Sequence, residues 1–152
     1  MLIPLTRGKF AKIDAKDFDL VNQFCWYFDG GYAVHGSGDG KKPKVWMHRI
    51  IAKTPSGFVT DHINGNKLDN RRRNLRICTR QQNNMHVGVS RKNKSGYKGV
   101  FWNKQRKKWR ARIRLNKQDI VLGHFTNKAD AAISYNAAAK KYFGEFCFLN
   151  TV

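Results

Sequence analysis

The stretch VTDHINGNKLDNRRRNLRICT, Val59 to Thr79, decides how this chain is read. Two β-prone runs flank a segment that carries two turn signals, Asn64-Gly65-Asn66 and Asp69-Asn70. Thr79 followed by Gln82 makes a capping-box pattern, which predicts a short helix over 80–86. Counting from His62, Asn74 stands twelve residues on and Asn83 twenty-one. Asp61 and His62 alone would be an ordinary surface dipeptide.

Upstream, WMHRIIA (46–52) is strongly apolar and suits either a helix or a strand. Before it, residues 1–45 look like short strands joined by turns. KFAKID alternates, and FCWYF and GYAVH are separated by Asp29-Gly30-Gly31, a hairpin signal. The aromatics Phe24, Trp26, Tyr27 and Phe28 are read as core, and GSGDGKKPK (36–44) as a loop.

Downstream, residues 89–95 are polar and basic, as a linker would be. Three strands follow, in YKGVFWN, KWRARIRL and DIVLGHF. Asn127 then caps a helix, KADAAISYNAAAKKYF, which Gly144 ends. In Trp109 to Leu115 apolar residues occupy odd positions and arginines even ones. Strand alternation therefore puts Arg110, Arg112 and Arg114 on one face. Nine basic residues and no acidic one lie between Lys98 and Lys117, and Trp102 adds an apolar contact. Such a density favours a polyanion, because binding releases condensed counterions.

The whole chain carries 30 Lys and Arg against 10 Asp and Glu, a net charge of +20 over 152 residues. Self-repulsion of that size points to a nucleic-acid partner. Cys25, Cys78 and Cys147 are scattered and form no C-x-x-C pair, so neither structural zinc nor a disulfide framework is expected. No signal peptide or membrane span is read, so the expected location is the cytoplasm, or a host cell's interior for a phage product. No small-molecule substrate is indicated.

D-H-I-N-G-N with Asn70, Asn74-Leu75 and Asn83 resembles the HNH nuclease motif in its zinc-less phage and intron-encoded form. The resemblance implies a ββα-metal nuclease domain with extra strands over 1–88, its core motif at 46–86. It makes Asp61 a metal ligand, His62 the general base, Asn74 the residue that orients the His62 ring, and Asn83 the second metal ligand. A neutral histidine is a suitable base, and carboxylate and amide oxygens suit Mg²⁺ or Mn²⁺. Asn83 stands where the motif's last histidine would be and brings no charge. Tight metal binding is therefore expected only with DNA phosphate present. His48 and His86 are accessory candidates, His48 being read first as a packed histidine. Arg71, Arg72 and Arg73 are expected to meet phosphates.

Residues 96–152 resemble the plant ethylene-response-factor (Apetala) DNA-binding domain. The matching runs are Tyr97-Lys98-Gly99-Val100, Trp109-Arg110-Ala111, Leu122-Gly123-His124-Phe125, Ala129-Asp130-Ala131-Ala132, Tyr135-Asn136-Ala137-Ala138, Phe143-Gly144 and Leu149-Asn150. The resemblance implies a three-stranded antiparallel sheet plus one helix, with the sheet in the DNA major groove. It nominates Lys98, Phe101, Asn103, Arg112 and Arg114 for DNA contact, beside Arg110. Phe101 and Asn103 replace arginines of the plant domains, so the plant target does not carry over.

The fold expected is thus α+β. The expected function is a metal-dependent endonuclease acting on double-stranded DNA, as a monomer or homodimer, of the homing kind. A non-catalytic DNA-binding regulator is the alternative. An RNA-binding protein is disfavoured, because an arginine-faced sheet suits a duplex major groove better than A-form RNA.

Overall fold

In the computed structural model, residues 1–36 and 43–152 are described, and most of the loop expected at 36–44 lies outside them. The chain is a mixed α/β protein with several small antiparallel sheets and few helices. It divides into two compact units, Met1–Asn83 and Asn84–Val152.

In the first unit β1 (Leu2–Pro4) pairs with β2 (Phe10–Lys12). A five-residue helix, α1 (Phe18–Asn22), follows, where the sequence suggested only strands and turns. The hairpin expected around Asp29-Gly30-Gly31 forms from β3 (Tyr27–Asp29) and β4 (Tyr32–His35), both glycines having positive φ. β5 (Val45–Trp46) adds to β4 and leads into α2 (Met47–Ala52), so WMHRIIA is mostly helix. Ile3, Ala11, Ile13, Val21, Trp26, Met47 and Ile51 form the core, with Phe24 and Phe28 packed against it.

β6 (Val59–His62) and β7 (Leu75–Cys78) then pair antiparallel, Asp61 opposite Arg76 and His62 opposite Leu75. α3 (Arg80–His86) follows directly. Its capping box forms as expected: the Gln82 amide N–H donates to Thr79 Oγ1 (3.2 Å), and the Thr79 N–H to Gln82 Oε1 (2.9 Å).

The second unit holds β8 (Val100–Asn103), β9 (Lys108–Leu115) and β10 (Gln118–Phe125), antiparallel with β9 central. α4 (Lys128–Phe143) is capped by Asn127, whose side chain accepts from the Ala129 N–H (2.9 Å). Small residues on its inner face, Ala131, Ala132 and Ala139, let it lie close against Val100, Ala111 and Ile113. Asn150 closes the unit. It exchanges two hydrogen bonds with Asn136 (2.9 and 2.8 Å) and two with the backbone of Lys98 (2.7 and 3.1 Å). Within the stretch read as a linker, Ser95 is buried and its hydroxyl donates to the Val100 carbonyl (2.8 Å). No helix among the described residues is long and apolar enough to cross a membrane.

Candidate active site and nucleic-acid face

His62 ends β6 and is 5% exposed. Its Nε2 lies 3.3 Å from Asn70 Oδ1. An acceptor at Nε2 calls for the Nε2–H tautomer, which leaves the lone pair on Nδ1. Burial pushes the imidazole below its usual range, against the Asn70 contact and the Asp61 charge, which raise it. The ring is therefore neutral near pH 7 and fit to accept a proton.

The bond expected from Asn74 to His62 is not the one that forms: Asn70 fills that place. The Asn74 side chain is spent on the loop itself. Its Nδ2 donates to the Asp69 carbonyl (2.7 Å), and its Oδ1 accepts from the Asn64 N–H (2.9 Å). It ties the start of the 63–73 loop, at Asn64, and its middle, at Asp69, to the start of β7, and so holds the backbone next to Asn70. β2 adds a second anchor, with the Lys12 N–H on the Leu68 carbonyl and the Asn70 N–H on the Lys12 carbonyl, both 2.7 Å.

Two of the three arginines expected at phosphates have internal partners instead. Arg71 grips Asp69 through Nε (2.8 Å) and Nη2 (2.6 Å), which holds the Asp69 carboxyl down at about 2. Arg72 grips Asp17, a carboxylate only 2% exposed, through Nε (3.0 Å) and Nη2 (2.6 Å). A buried carboxylate left unpaired is costly, so these guanidinium groups are held in place. Arg73 is exposed.

Asp61 is buried too, and Arg76 donates to its Oδ2 from Nε (2.9 Å) and Nη2 (2.7 Å). Asn83 lies on α3 in the same unit, its N–H bonded to the Thr79 carbonyl (3.0 Å). His86 ends that helix and belongs to the second unit. Among the described residues no three His, Cys, Asp or Glu side chains gather as a metal cage would.

His48 is buried on α2, with its ring 5.1 Å from that of His62 and 5.2 Å from Tyr32. It is a packed histidine, and it packs on the site. Lys67 lies over the other ring of the cluster, 4.4 Å from the centre of Tyr32. Burial pushes the His48 imidazole down to about 3, with His62 and Arg49 adding to the effect. The unfolded chain takes this proton near 6.5, so the stability is complete above that pH and is lost as pH falls toward 3. Between pH 7.5 and 5 the unfolding free energy should drop by roughly 2 kcal/mol from this group. Urea midpoints at the two pH values check it: the drop should shrink in His48→Phe, and an equal drop in both proteins would contradict it.

Tyr32, Asn70 and Arg76 are the neighbours that sequence reasoning gave no role. For Arg76 a signal existed, since pairing β6 with β7 sets it across from Asp61.

In the second unit Phe101, Arg110 and His124 stand in register across the three strands, as do Arg112 with Val121 and Arg114 with Asp119. Paired residues share a face, so the arginines, Phe101 and Asn103 lie together. The Arg112 guanidinium sits 4.5 Å from the centre of the Phe101 ring and donates to Asp119 Oδ2 (2.5 Å). Asp119 supplies the carboxylate that the run from Lys98 to Lys117 lacks. Asn103 accepts from the Arg106 N–H (3.1 Å).

Two expectations for this face change. Trp102 pairs with Trp109 (centroids 5.1 Å), on the face turned toward the helix, so it does not join the arginines. Lys98 is not an open phosphate contact. Its ammonium donates to the Met85 carbonyl (2.6 Å), the Asn84 carbonyl (3.3 Å) and the Val87 carbonyl. These groups lie at the C-terminal end of α3, where carbonyls lack helical partners and a cation is favoured. Burial lowers this lysine to about 8.

A family model described as HNH endonuclease matches residues 45–85. The chain is 31% identical over 154 residues to a protein of Acanthamoeba polyphaga mimivirus named as an uncharacterized HNH endonuclease; the match covers 96% of this chain and 77% of that one. Protein 3.8 of Escherichia phage T7 is 37% identical over 59 residues, or 39% of this chain and 49% of its own. An SPbeta prophage-derived protein of Bacillus subtilis, named for HNH homing endonucleases, is 40% identical over 64 residues, or 38% and 37%. No solved structure matches. The viral relative aligns along nearly the whole of this sequence, and with it the chain belongs to the HNH endonuclease family.

Proposed function

We propose that the chain is a divalent-metal-dependent endonuclease that hydrolyses phosphodiester bonds of double-stranded DNA, in the service of a phage or mobile element. The observation that carries this is His62: buried, held neutral, and fixed at Nε2 by Asn70 beside the Asp61 carboxylate. In this reading β6, β7 and α3 are the ββα-metal unit. His62 Nδ1 takes the proton from water as its oxygen attacks phosphorus and the P–O bond to the leaving strand breaks. Asn70 keeps the ring from turning, and Asn74 keeps Asn70 in reach by closing the loop. Tyr32 and His48 wall one side of the ring.

The donor set fits a hard cation. Asp61 already holds a positive group, and Asn83 offers a neutral oxygen. Asp61 and Asn83 would hold Mg²⁺ or Mn²⁺, and such an ion, when bound, neutralises charge on the phosphate and acidifies the attacking water. With one carboxylate the free protein would hold such an ion weakly, and tight binding would need DNA phosphate as well.

Residues 96–152 are the grip, an Apetala-like sheet whose arginine face meets the duplex, and the segment from Asn84 to Ser95 belongs to the same compact unit. Arg110, Arg112, Arg114, Phe101 and Asn103 are its contacts, and Arg73 is the remaining phosphate contact of the nuclease domain. A monomer with one site nicks, and a homodimer cuts both strands.

Plasmid DNA with purified protein and Mg²⁺, Mn²⁺ or chelator tests the reading. Nicking or cutting that stops with chelator is the expected result, and binding with no strand scission under any metal would leave only the regulator. Arg112→Ala with Arg114→Ala should weaken DNA binding at least tenfold at low salt and flatten the slope of log K against log salt by roughly 1–2. Unchanged low-salt affinity would remove the sheet as the grip.

A further inference from the structure

The cation on Asp61 does not come from solvent. Arg76 stands directly across the β6–β7 ladder and places Nε and Nη2 on one oxygen, Oδ2, at 2.9 and 2.7 Å. The two side chains are 7% and 13% exposed, so water screens the pair little. Asp69, the other carboxylate of the site loop, is already committed to Arg71 and Asn64. Asp61 is thus the acid on which metal binding turns, and it is taken.

A guanidinium has only donors, and it repels a divalent ion sharing the same oxygen. It is, however, the side chain best matched to a phosphate's paired oxygens. DNA therefore brings what Arg76 needs in order to leave Asp61. We propose that Arg76 is an internal counter-ion that keeps divalent metal off Asp61 until a DNA phosphate takes the guanidinium over. Metal loading then follows substrate binding, and the DNA-free protein is kept inactive. The inference rests on Asp61 being a metal ligand.

The test is Mn²⁺ titration of the full-length protein, followed by electron paramagnetic resonance of the free ion, with and without a non-hydrolysable phosphorothioate duplex. Without DNA, Arg76→Met should bind Mn²⁺ at least about tenfold more tightly than the parent, the scale of one charge released at a site of low dielectric. The duplex should tighten the parent far more than the variant. Arg76→Lys keeps a cation but loses the two-point grip, so it should fall between them; it carries the test if Arg76→Met melts.

Equal or weaker Mn²⁺ binding in both variants overturns the counter-ion role. Asp61→Asn tells the two possible failures apart. If it removes the parent's DNA-dependent Mn²⁺ binding while Arg76→Met gains nothing, Asp61 is a ligand and only the counter-ion role falls. If the gain of Arg76→Met survives in the double variant with Asp61→Asn, the ion sits elsewhere, and both the role of Asp61 and this inference are overturned.

Discussion

His62→Ala should lower single-turnover cleavage of saturating plasmid by about 10³-fold, within the range that a positioned general base contributes. The loss should fall on the chemical step, with DNA affinity changed by less than a few fold. The His62 ring is buried and its one described hydrogen bond is to Asn70, so it is poorly placed to supply binding energy. Asn70→Ala offers a graded companion. It keeps the imidazole but frees the ring to turn and to change tautomer, so it should cost less than removing the ring. Its loss should also be partly recovered by Asn70→Asp, which restores the acceptor. Cleavage by His62→Ala within tenfold of the parent would displace this residue as the base.

Gly99→Ala should lower the melting temperature of the second unit by roughly 15–30 °C, from a loss of about 4 kcal/mol over some 70 residues. Gly99 has φ +76, where a side chain is strained at a cost of about 1–3 kcal/mol. The added methyl would also lie 2.1 Å from the Tyr135 ring and 2.7 Å from the Arg112 carbonyl oxygen. Neither neighbour can yield easily. Tyr135 is 2% exposed in the helix-to-sheet core, and the Arg112 N–H is bonded to the Gly99 carbonyl (2.8 Å). Overpacking adds about 1–3 kcal/mol. Gly96→Ala is the matched control, because its φ is +80 and nothing lies within 4 Å of the new methyl. It carries the conformational strain without the collision. Far-ultraviolet circular dichroism melts should separate the two by more than 10 °C, and coincident melts would show that the Tyr135 contact is not rigid.

The sequence made some features legible and hid others, for physical reasons. α4 could be placed to the residue because its signals are local: Asn127 at one end, Gly144 at the other, a small-residue face between. β9 was legible from alternation alone. α1 and α2 are five and six residues long, too short for a helical period to assert itself against β-prone composition. At the site, the family resemblance pointed to Asp61 and His62 and named Asn74 as the partner of the His62 ring, where the structure has Asn70. Both are loop asparagines, and only their geometry tells which one faces the imidazole. Charge misled most. Arg72 meets Asp17 across 55 positions, and Lys98 meets backbone carbonyls, so a count of basic residues cannot tell a phosphate contact from a structural cation.

Lys98 also bears on how this molecule can be taken apart. A fragment ending at residue 88 would contain the whole of α3 yet leave behind the ammonium that closes its last carbonyls. The final turn would then fray toward Asn83. Low activity in such a piece would report a missing helix end rather than a missing grip on DNA. A fair dissection supplies a substitute, such as a C-terminal lysine or a glycine cap after His86, before catalysis in the two halves is compared.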